Sequence, residues 1–180
     1  MCPVIRAFLI RINDSAVWSD NLHRTNVLLP LIPRIVGTRN PELLSKRMFF
    51  LVNWAVKTIA PLILKELGFK INVVKLESLA DIVDCESANA ANVAVAAIVA
   101  KSNFLTSRGD LTAVRTTFYT VINATYSASN YSASANSVAN ADWAGDYAAA
   151  VINTAVWTAD LKEKIVVEVV KVLDQLLDIR

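Results

Sequence analysis

One histidine, His23, is present among the 180 residues, and that alone narrows the chemistry available to the chain. A lone imidazole serves acid–base catalysis only when a nucleophile and an orienting acid converge on it. No Ser–His–acid set stands out in the sequence. Four glycines are too few to furnish a phosphate-cradling loop. Cys2 and Cys85 match no metal or redox spacing, so two free thiols in a reducing cytoplasm are expected. Glu77, Asp81 and Asp84 recur at i, i+4 and i+7, the spacing of one helix face. Three carboxylates so placed could ligate a hard divalent cation, but a solvated helix face is the favoured reading. No catalytic residue, metal or cofactor is therefore expected.

The acids that stand out are Asp142 and Asp146. They lie one turn apart beside Trp143 and Tyr147, in a block otherwise poor in charge. Two neighbouring carboxylates repel each other, and with aromatics between them they suit the surface of a basic partner. The plainer alternative is that they keep one helix face wet. Tyr126 and Tyr131 supply further aromatic anchors, so Asp142, Trp143, Asp146, Tyr147, Tyr126 and Tyr131 form the expected partner-binding set. The first 47 residues lean basic: Arg6, Arg11, Arg24, Arg34, Arg39, Lys46 and Arg47 face only Asp14, Asp20 and Glu42. Phosphate neutralisation needs such a bias. No recognition-helix motif accompanies it and the net charge is only +2, so nucleic acid is not expected as a partner.

These residues sit in a chain organised around Cys85 to Trp157, a stretch built largely of Ala, Asn, Ser, Thr and a few aromatics. Its middle, Thr116 to Ala141, carries no charged side chain. A bilayer-spanning helix needs about 20 mostly apolar residues, and Asn123, Asn130, Asn136 and Asn140 interrupt this one. Phe118, Tyr119, Val121, Ile122, Tyr126, Tyr131 and Val138 make it too apolar for disorder. Closely packed helices remain. Ala124, Ala128, Ala135 and Ala139 recur at helical spacing, and such a stripe lets two axes approach closely. Phe118, Ile122 and Tyr126 fall at i, i+4 and i+8 on one expected face. The same texture recurs at Ser87 to Val99 and at Asp142 to Trp157. With 54% hydrophobic residues and few glycines or prolines, the sequence predicts an all-α fold. The form is a compact stack of roughly six to eight antiparallel helices in a single domain.

In chain order, residues 1–40 form a basic segment. Pro3 can open a helix over Met1 to Ile12, although a short strand is also compatible with that apolar run. Ser19 or Asp20 can cap a helix towards Val36, with Leu22, Val27, Leu28, Leu31, Ile32 and Ile35 facing inward and a stop or kink near Leu29 caused by Pro30 and Pro33. Residues 41–84 hold central helices. Asn40-Pro41-Glu42 starts a long one, which Pro61 should kink and Gly68 should end. Lys75 to Asp84 reads as a further helix with Leu76, Leu79, Ile82 and Val83 inward. The Ala-rich helices of 85–157 break near Ser102 to Asp110 and again between Ser134 and Asp142. Residues 158–180 form a closing amphipathic helix, capped by Thr158 or Asp160, with Leu161, Ile165, Val169, Val172, Leu173, Leu176 and Leu177 on one side. No charged region precedes an apolar run with a cleavage site, so no signal peptide is expected.

Asn53-Trp54-Ala55 stands six residues before Pro61-Leu62, in a helix leading to Leu76-Glu77-Ser78-Leu79-Ala80. Ala-rich helices studded with Asn, Ser and Tyr come next, then a Trp-containing segment and the closing helix KEKIVVEVVKVLDQLLDI. This order, over roughly residues 46–180, resembles the small Ala-rich helical immunity proteins of bacteria, their prophages and mobile elements. The resemblance implies a non-catalytic binding protein of the cytoplasm that neutralises a toxin, nuclease or defence factor by covering its surface. It carries no site residues over. Two other classes stay open on the residues alone. One is a small-molecule binder or enzyme with a pocket lined by Trp54, Tyr119, Tyr126, Trp143 and Tyr147. The other is a homo-oligomeric structural protein whose Ala-rich faces pair between copies.

Overall fold

The computed structural model describes residues 1–101, 110–131, 137–155 and 159–179. Ten α-helical segments appear among them and no strand, which establishes the all-α fold. Two pairs run on through short 3-10 or π turns, leaving eight separate rods.

Helix α1 spans Pro3–Asn13, with Pro3 in its first turn where a missing N–H costs nothing. The Cys2 N–H donates to Thr38 Oγ1 at 3.1 Å and fastens the start of the chain to a distant turn. After α1 the Trp18 indole Nε1–H donates to Ile12 O at 2.8 Å and closes the loop. Asp20 caps α2 (Asn21–Leu28) by accepting the His23 N–H at 2.7 Å. A 3-10 turn at Leu29–Leu31 then leads into α3, Ile32–Ile35, where Pro30 and Pro33 disturb the α ladder. The expected inward face of this stretch is only partly inward. Leu31 and Ile35 are buried, Val27 and Leu28 half-buried, and Leu22 and Ile32 exposed. No residue of α2 is buried, because α2 meets too little of the fold to hide both sides.

Asn40 accepts the Glu42 N–H at 3.0 Å and starts a continuous helical run. The run comprises a 3-10 turn (Pro41–Leu43), α4 (Leu44–Trp54), a π turn (Ala55–Ile59) and α5 (Ala60–Glu66). The π turn stands where a proline kink was expected. The Ala60 N–H reaches back five residues to Ala55 O, a register slip just before Pro61 that accommodates the ring without ending the helix. Gly68 ends it at φ +83°. There the Phe69 N–H bonds Leu64 O at 2.8 Å and the Gly68 N–H bonds Lys65 O at 3.1 Å, the two bonds of a Schellman stop. Pro41–Glu66 is long and apolar enough to cross a bilayer, with a mean hydropathy of 1.4, yet 67% of its most apolar stretch is buried. It is the core helix of the fold.

The helix expected over Lys75 to Asp84 is displaced. Helix α6 runs Lys70–Glu77, and the chain from Ser78 to Asp84 is irregular before α7, Cys85–Lys101. Two interactions, one long-range and one local, outcompete the helical pattern. The Ile82 N–H is taken by Asn53 Oδ1 at 3.0 Å. Asp84 caps α7 by accepting the Ser87 N–H at 2.8 Å, while Ser87 Oγ accepts the Val83 and Asp84 N–H groups, each at 3.0 Å. Ile82 is buried but Val83 is exposed.

The Ala-rich block forms α7, α8 (Asp110–Ser129) and α9 (Ser137–Ala150), the last running into a 3-10 turn at Val151–Ala155. The expected breaks fall partly within 102–109 and 132–136, outside the described residues. On α8, Phe118 is buried, Ile122 half-buried and Tyr126 exposed. Each four-residue step advances about 40° beyond a full turn, so a face drawn at i, i+4, i+8 drifts out of the core. Ala124 and Ala128 are buried, Ala139 is exposed, and Ala135 lies outside the described residues. The small-residue face continues on other positions. All five buried residues of α9 are small: Ala141, Ala144, Gly145, Ala148 and Ala149. With no long side chain between them, α9 lies directly against α1, and it also packs on α8 and α4. A Cβ on Gly145 would stand 2.9 Å from the backbone oxygen of Val4. Helix α10, Ala159–Asp178, buries Leu161, Ile165, Val169, Val172, Leu173 and Leu176 and leaves Leu177 half-buried, as the sequence pattern requires. Thr158 lies outside the described residues.

Gly145→Ala improves helix propensity yet forces a methyl against backbone, so it should destabilise by about 1–3 kcal/mol in urea unfolding. The Asp84 carboxyl is held below the ordinary aspartate range by the Ser87 hydroxyl and then by the Ser87 N–H. A carboxyl depressed in the folded state contributes stability above its unfolded pKa and loses it as pH falls through the folded value. Asp84→Ala should therefore lower Tm near neutral pH, with the deficit shrinking as pH drops below about 4 in thermal circular dichroism.

Candidate functional site

Helix α9 directs its acids at the chain's own first helix. Asp142 accepts from Arg6 Nη2 at 3.2 Å. Asp146 accepts a two-pronged contact from Arg11, 2.9 Å from Nε and 2.6 Å from Nη2. The forked Arg–carboxylate geometry is the stronger kind of ion pair. Its hydrogen bond to Asp146 holds the Arg11 pKa above the usual arginine value. The acids keep about a third of their side-chain surface, 33% each. The acidic pair expected to meet a basic partner is therefore already matched by two arginines, because the Ala–Gly face brings α1 within reach.

The same economy applies to the basic N-terminal segment. Arg34 pairs with Asp174 and Asp178 of α10. Arg24 donates to Asn13 O at 3.1 Å. Arg47 is buried at 4% exposure and donates to Thr38 O at 2.6 Å and to Ile179 O at 3.0 Å, tying α4 to the end of α10. Arg24, Arg39, Lys46 and Arg47 have no ion pair among the described residues, and of these Arg47 is buried. The three acids at 77, 81 and 84 are dispersed. Glu77 ends α6, Asp81 accepts from Lys57 Nζ at 2.6 Å, and Asp84 caps α7. Among the described residues no group of three His, Cys, Asp or Glu side chains could hold a metal ion.

The aromatic residues divide into two groups. Tyr131 is half-buried, its ring edge-on to Phe49 at 6.2 Å, while its carbonyl accepts the Cys85 thiol at 2.7 Å. Burial pushes its hydroxyl pKa up. Tyr147 is half-buried against the core. Trp54 is buried edge-on to Phe8 at 5.6 Å. These three serve packing. Tyr126 and Trp143 face out, at 61% and 58% exposure. Tyr119, which the expected partner-binding set omits, is 64% exposed. Tyr119 and Tyr126 are seven residues apart, so they stand nearly one above the other on α8. Asn130 shares that face, with Arg115 and Thr116 towards its other end, while the Asn123 amide nitrogen is turned inward and buried. The aromatic-lined pocket drawn from Trp54, Tyr119, Tyr126, Trp143 and Tyr147 does not form, because Trp54 is in the core and three of the others point to solvent.

A second exposed surface lies along α2, the 3-10 turn and α3, and it includes Leu22 and Ile32, which were expected to face inward. Leu22, Leu29, Ile32 and Val36 are 69%, 58%, 53% and 78% exposed. Leu22 and Leu29 stand seven residues apart, but the 3-10 turn at Leu29–Leu31 and the extended Val36 interrupt that spacing, so periodicity alone does not mark these residues as exposed. A scan of protein-family models, a search of curated proteins and a search of solved structures each found no match for this chain.

If the acids serve α1, Asp146→Ala and Arg11→Ala should each lower stability and should not add. A double-mutant cycle in urea should give a coupling of about 0.5–1 kcal/mol, smaller at high salt. Additive effects would leave the acids free for another role.

Proposed function

We propose that the protein is a non-catalytic binding module, an immunity or anti-defence inhibitor that neutralises a toxin, nuclease or defence factor by covering its surface. The observation that carries this reading is the outward face of α8. Tyr119 and Tyr126 are both more than half exposed there, inside a stretch free of charged side chains from Thr116 to Ala141. Tyrosine and tryptophan give large, stiff contact area at low entropy cost and dominate binding hot spots. Isolated exposed apolar residues are ordinary, but aromatics aligned along a helix with an amide beside them make a docking strip. Helices held by close backbone packing lose little further entropy on binding. The exposed Leu22, Leu29 and Val36 offer the same partner, or a larger one, a second apolar contact. Asp142 and Asp146 enter this reading as supports of the surface, with Trp143 between them as the exposed anchor. A cytoplasmic setting suits the two free thiols, Cys2 and Cys85.

Tagged protein incubated with lysate of the source cells, read by mass spectrometry and light scattering, tests this. The expected result is one stoichiometric protein partner. Tyr119→Ala with Tyr126→Ala should weaken it at least tenfold, about 1.4 kcal/mol, without changing Tm. Capture that survives the double substitution, or a stable homo-oligomer that captures nothing, contradicts the reading.

A further inference from the structure

A cleft of about 430 Å³ opens between the segment Val17–His23 and the first turns of α10. That is the size of a small-molecule site. It is built from elements other than α8 and α9 and is independent of the function proposed above. Its floor is apolar: Val17 and Val166 are 3% and 8% exposed, and Val167, at 60%, leaves its methyls free to cover a ligand. The polar groups on its walls are Lys162 and Glu163 from α10, with Ser19 and His23 opposite.

The charges decide what fits. Every described carboxylate of α10 except Glu163 sits in an ion pair: Asp160 with Lys164, Glu168 with Lys171, Asp174 and Asp178 with Arg34. Lys162 and Glu163 have no ion-pair partner among the described residues. They cannot neutralise each other, because successive residues on a helix point about 100° apart. Lys162 is half-buried, its stem along the cleft, and Glu163 is exposed, each without a counter-charge among the described residues. An anion would gain Lys162 and meet Glu163, a cation the reverse, and an uncharged apolar molecule would gain neither charge. A zwitterion satisfies the two together. Ser19 Oγ and His23 Nδ1 are already joined at 3.0 Å, and the imidazole stands edge-on to Trp18 at 5.7 Å. This fixes the opposite wall as a preformed hydrogen-bonding surface, with the Asp20 carboxylate accepting from Ser19 Oγ at 3.4 Å beside it.

We infer that this cleft binds a small zwitterion with an apolar body, of the apolar α-amino acid class, with its carboxylate on Lys162, its ammonium on Glu163 and its side chain on Val17, Val166 and Val167. The test is titration of the full chain with L-leucine, followed by calorimetry and by amide chemical shifts. The single-charge analogues leucinamide and 4-methylpentanoate serve as controls. Expected are saturable one-to-one binding, shifts centred on Val17, His23 and Val166, and at least threefold weaker binding of both analogues. Lys162→Ala and Glu163→Ala should each weaken L-leucine binding at least threefold, with unchanged circular dichroism. Absence of saturable binding, shifts centred elsewhere, analogues that bind as well as L-leucine, or full binding by either variant would overturn the inference.

Discussion

The fold depends on one close approach, α9 against α1 at Gly145. An ideal methyl there would lie 2.9 Å from the Val4 carbonyl oxygen. Small residues contribute little apolar area each, so this contact cannot be held by bulk. It is held by proximity, which gives many short van der Waals contacts between near-bare backbones. The large side chains of α1, Ile5, Phe8 and Ile12, are buried in the core cluster, where Phe8 meets Trp54 of α4. One helix thus uses its thin side against α9 and its bulky side elsewhere in the core. Cys2 on Thr38 and Trp18 on Ile12 fix its two ends.

The ion pairs are a consequence of that approach. Only because the α1 and α9 axes lie close do Arg6 and Arg11 reach Asp142 and Asp146 across more than 130 residues of chain. Exposed pairs of this kind contribute modest stability, and their larger effect is on what remains outside. The charges of α9 are matched at home, and Trp143 of α9 and Tyr119 and Tyr126 of α8 are left as exposed aromatics. A surface of that composition rewards shape and hydrogen bonding over long-range steering.

Much of the architecture was legible because it rests on local rules. Asp20, Asn40, Pro3 and Gly68 punctuate helices as their chemistry dictates, and α10 buries the face that its leucine and valine spacing marks. The stretches that depart from expectation are those where a distant partner decides. Asn53 takes the Ile82 N–H and dissolves the helix that the pattern of Lys75 to Asp84 predicts. The π turn before Pro61 is a register slip that propensity does not announce, and the helix continues through it in the core. Leu22 and Ile32 look like core residues, but α2 and α3 turn only Val27, Leu28, Leu31 and Ile35 towards the core and leave these two exposed. At the candidate site the sequence picked out Asp142, Trp143, Asp146 and Tyr126 but could not show that arginines 135 and 136 residues away claim both acids. Tyr119 is equally visible in sequence. The four-residue spacing from Phe118 points instead to a face that drifts, and Tyr119 stands outside it.

The central claim is that α1 and α9 form one cooperative unit through backbone proximity. Native-state hydrogen exchange tests it most directly, residue by residue. The account predicts that amides of Ile5 to Phe8 and of Ala144 to Ala149 exchange with the same opening free energy, close to that of the α4 core. Exchange of α1 amides at a much lower free energy than those of α9 would show that the first helix opens alone and that the contact at Gly145 does not hold the fold together.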